Sequence, residues 1–160
     1  MINSILIVCI GNICRCPMAL AMFARKLPGV QLSSAGIDAV VGAPADPFAI
    51  ELMRRRGIDI EAHRGQQLRA WHCESAELIL VMDLPQKQFI EKHYPTTRGK
   101  LFRLGEYGRF DIFDPHQKDL GEFERCLALI DRGVDEWAAR IVASRSPRRP
   151  ATHGPVQITQ

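Results

Sequence analysis

Ser4-Ile5-Leu6-Ile7-Val8-Cys9-Ile10-Gly11-Asn12-Ile13-Cys14-Arg15-Cys16-Pro17 holds an apolar run, a turn and the start of a helix. Ser4–Cys9 is continuously aliphatic and β-branched, the pattern of a strand buried on both faces rather than one. Gly11 and Asn12 follow, two residue types that tolerate positive φ. Pro17 then suits a helix's first turn, and Met18–Lys26 reads as helix.

Outward from this segment the chain alternates strand-like and helix-like patterns. Val30–Ser34 is a second short strand running to Gly36. Pro47–Arg56 reads as a helix capped by Asp46 and closed by Gly57, with Arg54, Arg55 and Arg56 at the favourable end of its dipole. Glu77–Met82 is a third strand, Pro85–His93 a helix and Lys100–Leu104 a fourth strand. Leu120–Ala143 is the longest helix, with Phe123, Leu127, Ile130, Val134, Trp137 and Ile141 on one face. Strands separated by helices predict an α/β fold with a parallel sheet between two helical layers. In such folds the crevice lies beyond the carboxyl ends of the strands, and the first strand ends at Cys9.

Composition narrows the classes of function. A chain of 160 residues, 46% hydrophobic and 24% charged, fits one globular domain. The net charge of +3 resides in the last 17 residues, which hold Arg145, Arg148 and Arg149 and no acid. Residues 1–143 carry 18 basic and 18 acidic side chains, so they produce no field that would draw nucleic acid. Residues 144–160, basic and proline-containing, are expected to be a disordered tail behind a domain of residues 1–143. No apolar run approaches the ~18 residues of a membrane span, and no basic side chain precedes the first apolar stretch. A cytoplasmic monomer with no membrane insertion is expected, its five cysteines reduced and open to metal or catalytic roles.

Three of those cysteines, Cys9, Cys14 and Cys16, fall within eight residues. A cysteine followed six residues later by arginine is weak evidence alone: Cys126 and Arg132 repeat it inside a helix pattern, a chance match. Around Cys9 the context differs. Positive-φ residues let successive N–H groups turn inward as an anion nest, and the helix N-terminus adds partial positive charge. Arg15 offers a planar fork for two phosphate oxygens. The same field acidifies a thiol at the loop's base and makes it a nucleophile under a bound phosphoryl group.

The run Cys9-Ile10-Gly11-Asn12-Ile13-Cys14-Arg15 resembles the signature loop of the low-molecular-weight protein tyrosine phosphatases. The similarity spans about residues 3–142. It takes in Ser33-Ser34-Ala35-Gly36, His63 before a glutamine-containing turn, Met82-Asp83 and Asp114-Pro115. The resemblance implies a four-stranded parallel sheet in the flavodoxin-like order 2-1-3-4 and an enzyme without cofactor or metal. It implies Cys9 as the nucleophile that becomes phosphocysteine, Arg15 as the clamp on the phosphate, and the N–H groups of Ile10, Gly11, Asn12, Ile13 and Cys14 as its cradle. Asp114 would be the general acid and then the base; Asp111 is a competitor without the proline, and Asp46-Pro47 merely a helix cap. Asn12, Ser34 and His63 would hold the loop in shape. The chain is most similar to bacterial members that act with tyrosine kinases of exopolysaccharide or capsule export, so an autophosphorylated kinase is the implied partner.

The chain also departs from the family pattern. Cys16 stands where relatives carry a serine or threonine that donates to the nucleophile, and a thiol is the weaker donor. His116 follows Asp114-Pro115 where most relatives have an aromatic, and Ile37–Asp46 holds no aromatic, leaving Tyr107, Phe110 and Phe113 as candidates to wall the cleft. Ile13 occupies the position that is threonine in phosphoarginine phosphatases, and its bulk suits a flat aromatic ring. Cys14 and Cys16 are potential resolving thiols, and the resemblance suggests a reversible Cys9–Cys14 disulfide. A thiol redox enzyme of the arsenate reductase type is the alternative on this fold, but Cys73 has no partner before Cys126. A zinc module built on Cys9, Cys14, Cys16 and His72-Cys73 lacks the usual ligand spacing. A non-catalytic phosphotyrosine-binding domain would need neither Cys9 nor Asp114.

Overall fold

Ser4–Cys9 forms the central strand, β1, in a computed structural model that describes residues 1–145. Around it lie β2 (Gln31–Gly36), β3 (Leu78–Val81) and β4 (Leu101–Arg103), all parallel, in the order β2-β1-β3-β4. This is the expected order. β1 pairs Ser4 with Gln31 through to Cys9 with Gly36 on one side, and Ile5 with Leu78 through to Val8 with Val81 on the other.

Side chains alternate across a strand, so β1 feeds two cores. Ile5, Ile7 and Cys9 pack with residues of α1 (Arg15–Lys26), α2 (Pro47–Arg55) and α5 (Leu120–Arg145). Leu6 and Val8 pack on the opposite face with Cys73 of α3 (Ala70–Ser75) and Ile90 of α4 (Leu84–His93). That double burial is why the β1 sequence reads as an unbroken apolar run. The sheet order reverses between β1 and its neighbours, so the crevice opens at the end of β1, over Cys9.

Local chemistry sets the element ends. Asp46 caps α2 by accepting from the Phe48 N–H at 2.9 Å, the capping role read for Asp46-Pro47. Gly57 takes φ +74 just beyond the end of α2, where Cβ would be strained. The Arg56 guanidinium grips both Asp131 oxygens at 2.6 Å and ties α2 to α5.

Beyond shifts of a residue or two at other element ends, three differences from the sequence reading stand out. α1 begins at Arg15, so the arginine of the loop is already helical. α3 was not expected: six residues with no proline or glycine punctuation give little periodic signal, and it is fixed instead by His72 Nδ1 accepting from the Arg69 N–H at 2.9 Å. α5 runs two residues beyond the expected domain end, with the Ser144 hydroxyl donating to Ile141 O and Arg145 to Ile2 O. The remainder of the expected tail lies outside the described residues. Among the described residues, no helix is long and apolar enough to cross a membrane.

Phe23 sits fully buried on α1 between the sheet and α5. Truncating it leaves a cavity the surroundings fill only partly. Phe23→Ala is expected to lower the unfolding free energy by about 3–5 kcal/mol, read from urea titration followed by circular dichroism.

Candidate active site

Beyond β1 the backbone turns its carbonyls outward. Cys9 O accepts from the Ile37 N–H (2.9 Å), Ile10 O from Asp38 (3.1 Å), Gly11 O from Val40 (3.0 Å) and Ile13 O from Asp46 (2.8 Å). Asn12 O meets His63 Nε2 at 2.6 Å. No peptide is cis, and in a trans peptide the N–H points opposite the carbonyl. Outward carbonyls of residues 9–13 therefore aim the N–H groups of residues 10–14 at the loop's centre, above Cys9. A ring of inward-facing N–H donors at a helix N-terminus is an anion site.

One residue carries the turn. Asn12 has φ +63 and is fully buried. Its Nδ2 donates to Ser34 Oγ at 3.0 Å, and its Oδ1 accepts from the Gln66 N–H at 3.0 Å. The Gln66 side chain donates to Ser34 O at 2.7 Å, closing the network. Asn12, Ser34 and His63 thus stand together as expected. Gln66 joins them through a backbone and an amide contact that a sequence motif does not display. The strap of residues 37–46 approaches so closely that a Cβ at Gly36 would overlap Ile10 O.

Arg15 is 2% exposed, and its guanidinium is aimed rather than loose. It donates to Ile112 O at 2.8 Å, with Asp83 3.7 Å and Asp114 3.6 Å away. Asp83 caps α4 through the Gln86 N–H, and the buried Gln86 amide oxygen accepts from the Met82 N–H. The sequence reading assigned Asp83 no role, because its approach to Arg15 is visible only once β3 lies beside β1. The Asp114 side chain is 46% exposed at the mouth. Asp111, the competitor, pairs with Arg103 at 2.9 Å instead.

The three loop cysteines sit in different electrostatic surroundings. Burial is the largest influence on Cys9 and pushes its pKa up. The hydrogen bond from Cys16, the Arg15 charge and the N–H groups of Cys16 and Asn12 together outweigh it, so the pKa falls below the ordinary 9.0. Cys16 Sγ lies 2.7 Å from Cys9 Sγ; burial and the anionic neighbour push its own pKa well up, keeping it a donor. Cys14 is pushed up by burial and by Asp46 and Asp114, and its sulfur faces His116 Nδ1 at 3.8 Å. The thiol hydrogen-bonded to Cys9 is Cys16. Cys126, of the chance match, is buried beside Phe113 O and pushed up to about 12, chiefly by burial.

The pocket is lined by the loop with Asp38, Val40, Asp114 and His116. None of Tyr107, Phe110 and Phe113 reaches it. Tyr107 packs on Trp137, Phe110 under Arg132 and Phe113 beside Lys118, so each is committed elsewhere. The apolar wall is built from Ile10, Ile13 and Val40. Cys73 belongs to the core on the far face of the sheet, so the thiols and His72 that a redox relay or zinc module would need are not brought together.

Cys16 gives a direct test of the electrostatics. A hydrogen bond to a charged group is worth about 1.5 kcal/mol, roughly one pKa unit. Cys16→Ala is expected to raise the Cys9 pKa by about that amount, while Cys16→Ser, a stronger donor, lowers it. The pH dependence of Cys9 alkylation reads both shifts.

The model of the family "Low molecular weight phosphotyrosine protein phosphatase" matches residues 4–146. A protein of Ralstonia nicotianae, named probable low molecular weight protein-tyrosine-phosphatase EpsP, is 55% identical over 143 residues, 89% of this chain and 99% of its own. The structure of Vibrio vulnificus Wzb in complex with benzylphosphonate superposes with a TM-score of 0.84 at 36% identity, covering 88% of this chain and 99% of that one. YwlE arginine phosphatase from Geobacillus stearothermophilus superposes equally, TM-score 0.84 at 31% identity, over 89% and 95%. An anion cradle over an acidified cysteine, matched along almost the whole domain, places this chain in the low-molecular-weight protein tyrosine phosphatase family, cysteine-dependent enzymes that hydrolyse phosphotyrosine.

Proposed function

We propose that Cys9 attacks the phosphorus of a phosphotyrosine side chain in line, that Asp114 protonates the departing phenolate, and that the resulting phosphocysteine is hydrolysed by water activated by the same carboxylate. The observation that carries this is the placement of Arg15. A buried guanidinium, anchored on Ile112 O and flanked by two carboxylates, borders the loop whose amides face inward above Cys9. Three equatorial oxygens gain charge-assisted donors there, and these are positioned before substrate arrives.

Each residue's chemistry follows from where it stands. Arg15, Cys16 and loop amides lower the Cys9 pKa and favour its thiolate, the form that attacks. A phenol of pKa about 10 leaves poorly as an anion, and the exposed Asp114 at the mouth can deliver a proton to it. The Asp114 carboxylate accepts from the His116 N–H at 3.0 Å, which fixes its direction. Cys16 donates to the sulfur and stabilises it as the leaving group when water attacks the phosphocysteine.

Ile13 supports phosphotyrosine over phosphoarginine. With Ile10 and Val40 it makes an apolar wall that a planar ring covers, whereas a guanidinium would lose hydration against that wall. The physiological substrate we infer is an autophosphorylated tyrosine kinase of exopolysaccharide synthesis or export in the cytoplasm. Support comes from the similarity to EpsP and Wzb proteins.

Steady-state kinetics on a phosphotyrosine peptide test the assignment. Cys9→Ser abolishes turnover. Asp114→Asn lowers kcat by about 10²–10⁴-fold, and by much less on an aryl ester whose phenol is already acidic. Equal loss on both esters would remove Asp114 from the role of acid, and faster cleavage of a phosphoarginine peptide would overturn the substrate reading.

A further inference from the structure

Three donors from distant parts of the chain meet at the rim of the pocket. Cys14 comes from the start of α1, Asp46 from the cap of α2, and His116 from the turn after Asp114. Their ligand atoms all lie within 4.8 Å of one another, with Cys14 Sγ 3.8 Å from His116 Nδ1. Zinc–sulfur and zinc–nitrogen bonds of about 2.3 and 2.0 Å at a tetrahedral angle give an edge of about 3.5 Å. The sulfur–nitrogen pair is therefore already close to that edge, and the carboxylate needs only a small side-chain rotation to complete a face.

We propose that Cys14, Asp46 and His116 form an inhibitory zinc site at the mouth of the active site. Thiolate, imidazole and carboxylate together suit Zn²⁺ and not the hard ions Mg²⁺ or Ca²⁺. Binding releases the Cys14 thiol proton to solvent, and the fourth ligand is water. One Asp46 oxygen already accepts from the Phe48 N–H, which orients the carboxylate and leaves its other oxygen for the metal.

The electrostatics agree with a cation there. After burial, the causes that push the Cys14 thiol up are the negative charges of Asp46, Asp114 and Cys9, against which Arg15 acts as the smallest influence. The same anions that disfavour a free thiolate attract a divalent ion that neutralises it. Inhibition follows from position. Cys14 and His116 both line the pocket, and the His116 N–H holds the Asp114 carboxylate. An ion bridging α1, α2 and that turn obstructs the aryl ring and draws the Asp114 charge away from the leaving oxygen. The motif spacing of the chain hides this set, because its members are far apart in sequence and only the fold assembles them. His116, the residue that departs from the family's aromatic, is what supplies the nitrogen.

Cobalt(II) as a spectroscopic probe and zinc titration of phosphatase activity test the site on the full chain. Wild type and Cys9→Ser are expected to bind one equivalent of Co²⁺ with a thiolate charge-transfer band that Cys14→Ser lacks. Asp46→Asn preserves the α2 cap, since asparagine caps equally well. It is expected to weaken Co²⁺ binding and raise the zinc inhibition constant at least tenfold, with His116→Gln doing the same. Loss of the band in Cys9→Ser with its retention in Cys14→Ser would assign the metal to the nucleophile and overturn the proposal. So would an inhibition constant unchanged in Asp46→Asn and His116→Gln, or no Co²⁺ binding by wild type.

Discussion

Everything in the site depends on which way five peptide planes face. A loop of free amides pointing inward is unstable unless its carbonyls are satisfied on the outside, because a buried unpaired carbonyl costs as much as a lost hydrogen bond. Here the strap of residues 37–46 and His63 supply those partners one by one, and Asn12 in a left-handed conformation lets the chain turn tightly enough to keep all the amides on one side. The cradle is thus a property of two segments together, set at the end of a strand that both cores hold in place.

Inside that cradle the charges are balanced against burial. A thiolate removed from water is costly, and the Cys9 pKa falls below its ordinary value only because several donors and one guanidinium outweigh that loss. Arg15 in turn is buried and would be costly without Asp83, Asp114 and the Ile112 carbonyl around it. Cys14 and Cys16 lack that compensation and stay protonated. Identical side chains within one turn therefore take different roles for reasons of geometry alone.

Much of this was legible before any coordinates. The strand Ser4–Cys9, the pair Gly11-Asn12, of which only Asn12 takes positive φ, and the helix start carry local signals strong enough to place the loop, and the loop's chemistry names Cys9 and Arg15. That Asp114 rather than Asp111 stands at the mouth, and that Asp46 caps α2, were also readable, from the proline in one case and the helix pattern in the other. Contacts across the sheet were not. Asp83 and Gln66 act through partners tens of residues away, and α3 is held by a side chain to main chain bond rather than by periodicity. The aromatic residues assigned to the cleft were misplaced for the same reason: sequence nearness to Asp114 says nothing about which way a ring faces, and Trp137, Arg132 and Lys118 claim all three.

The strap grips the catalytic loop through main-chain atoms only, using the amides of Ile37, Asp38, Val40 and Asp46. Any residue except proline supplies the same amide, so the side chains of Asp38 and Val40 are free to drift without disturbing the chemistry beneath them. Asp38 and Val40 border the opening, which makes this stretch the place where substrate preference can diversify among descendants while the reaction itself is inherited unchanged.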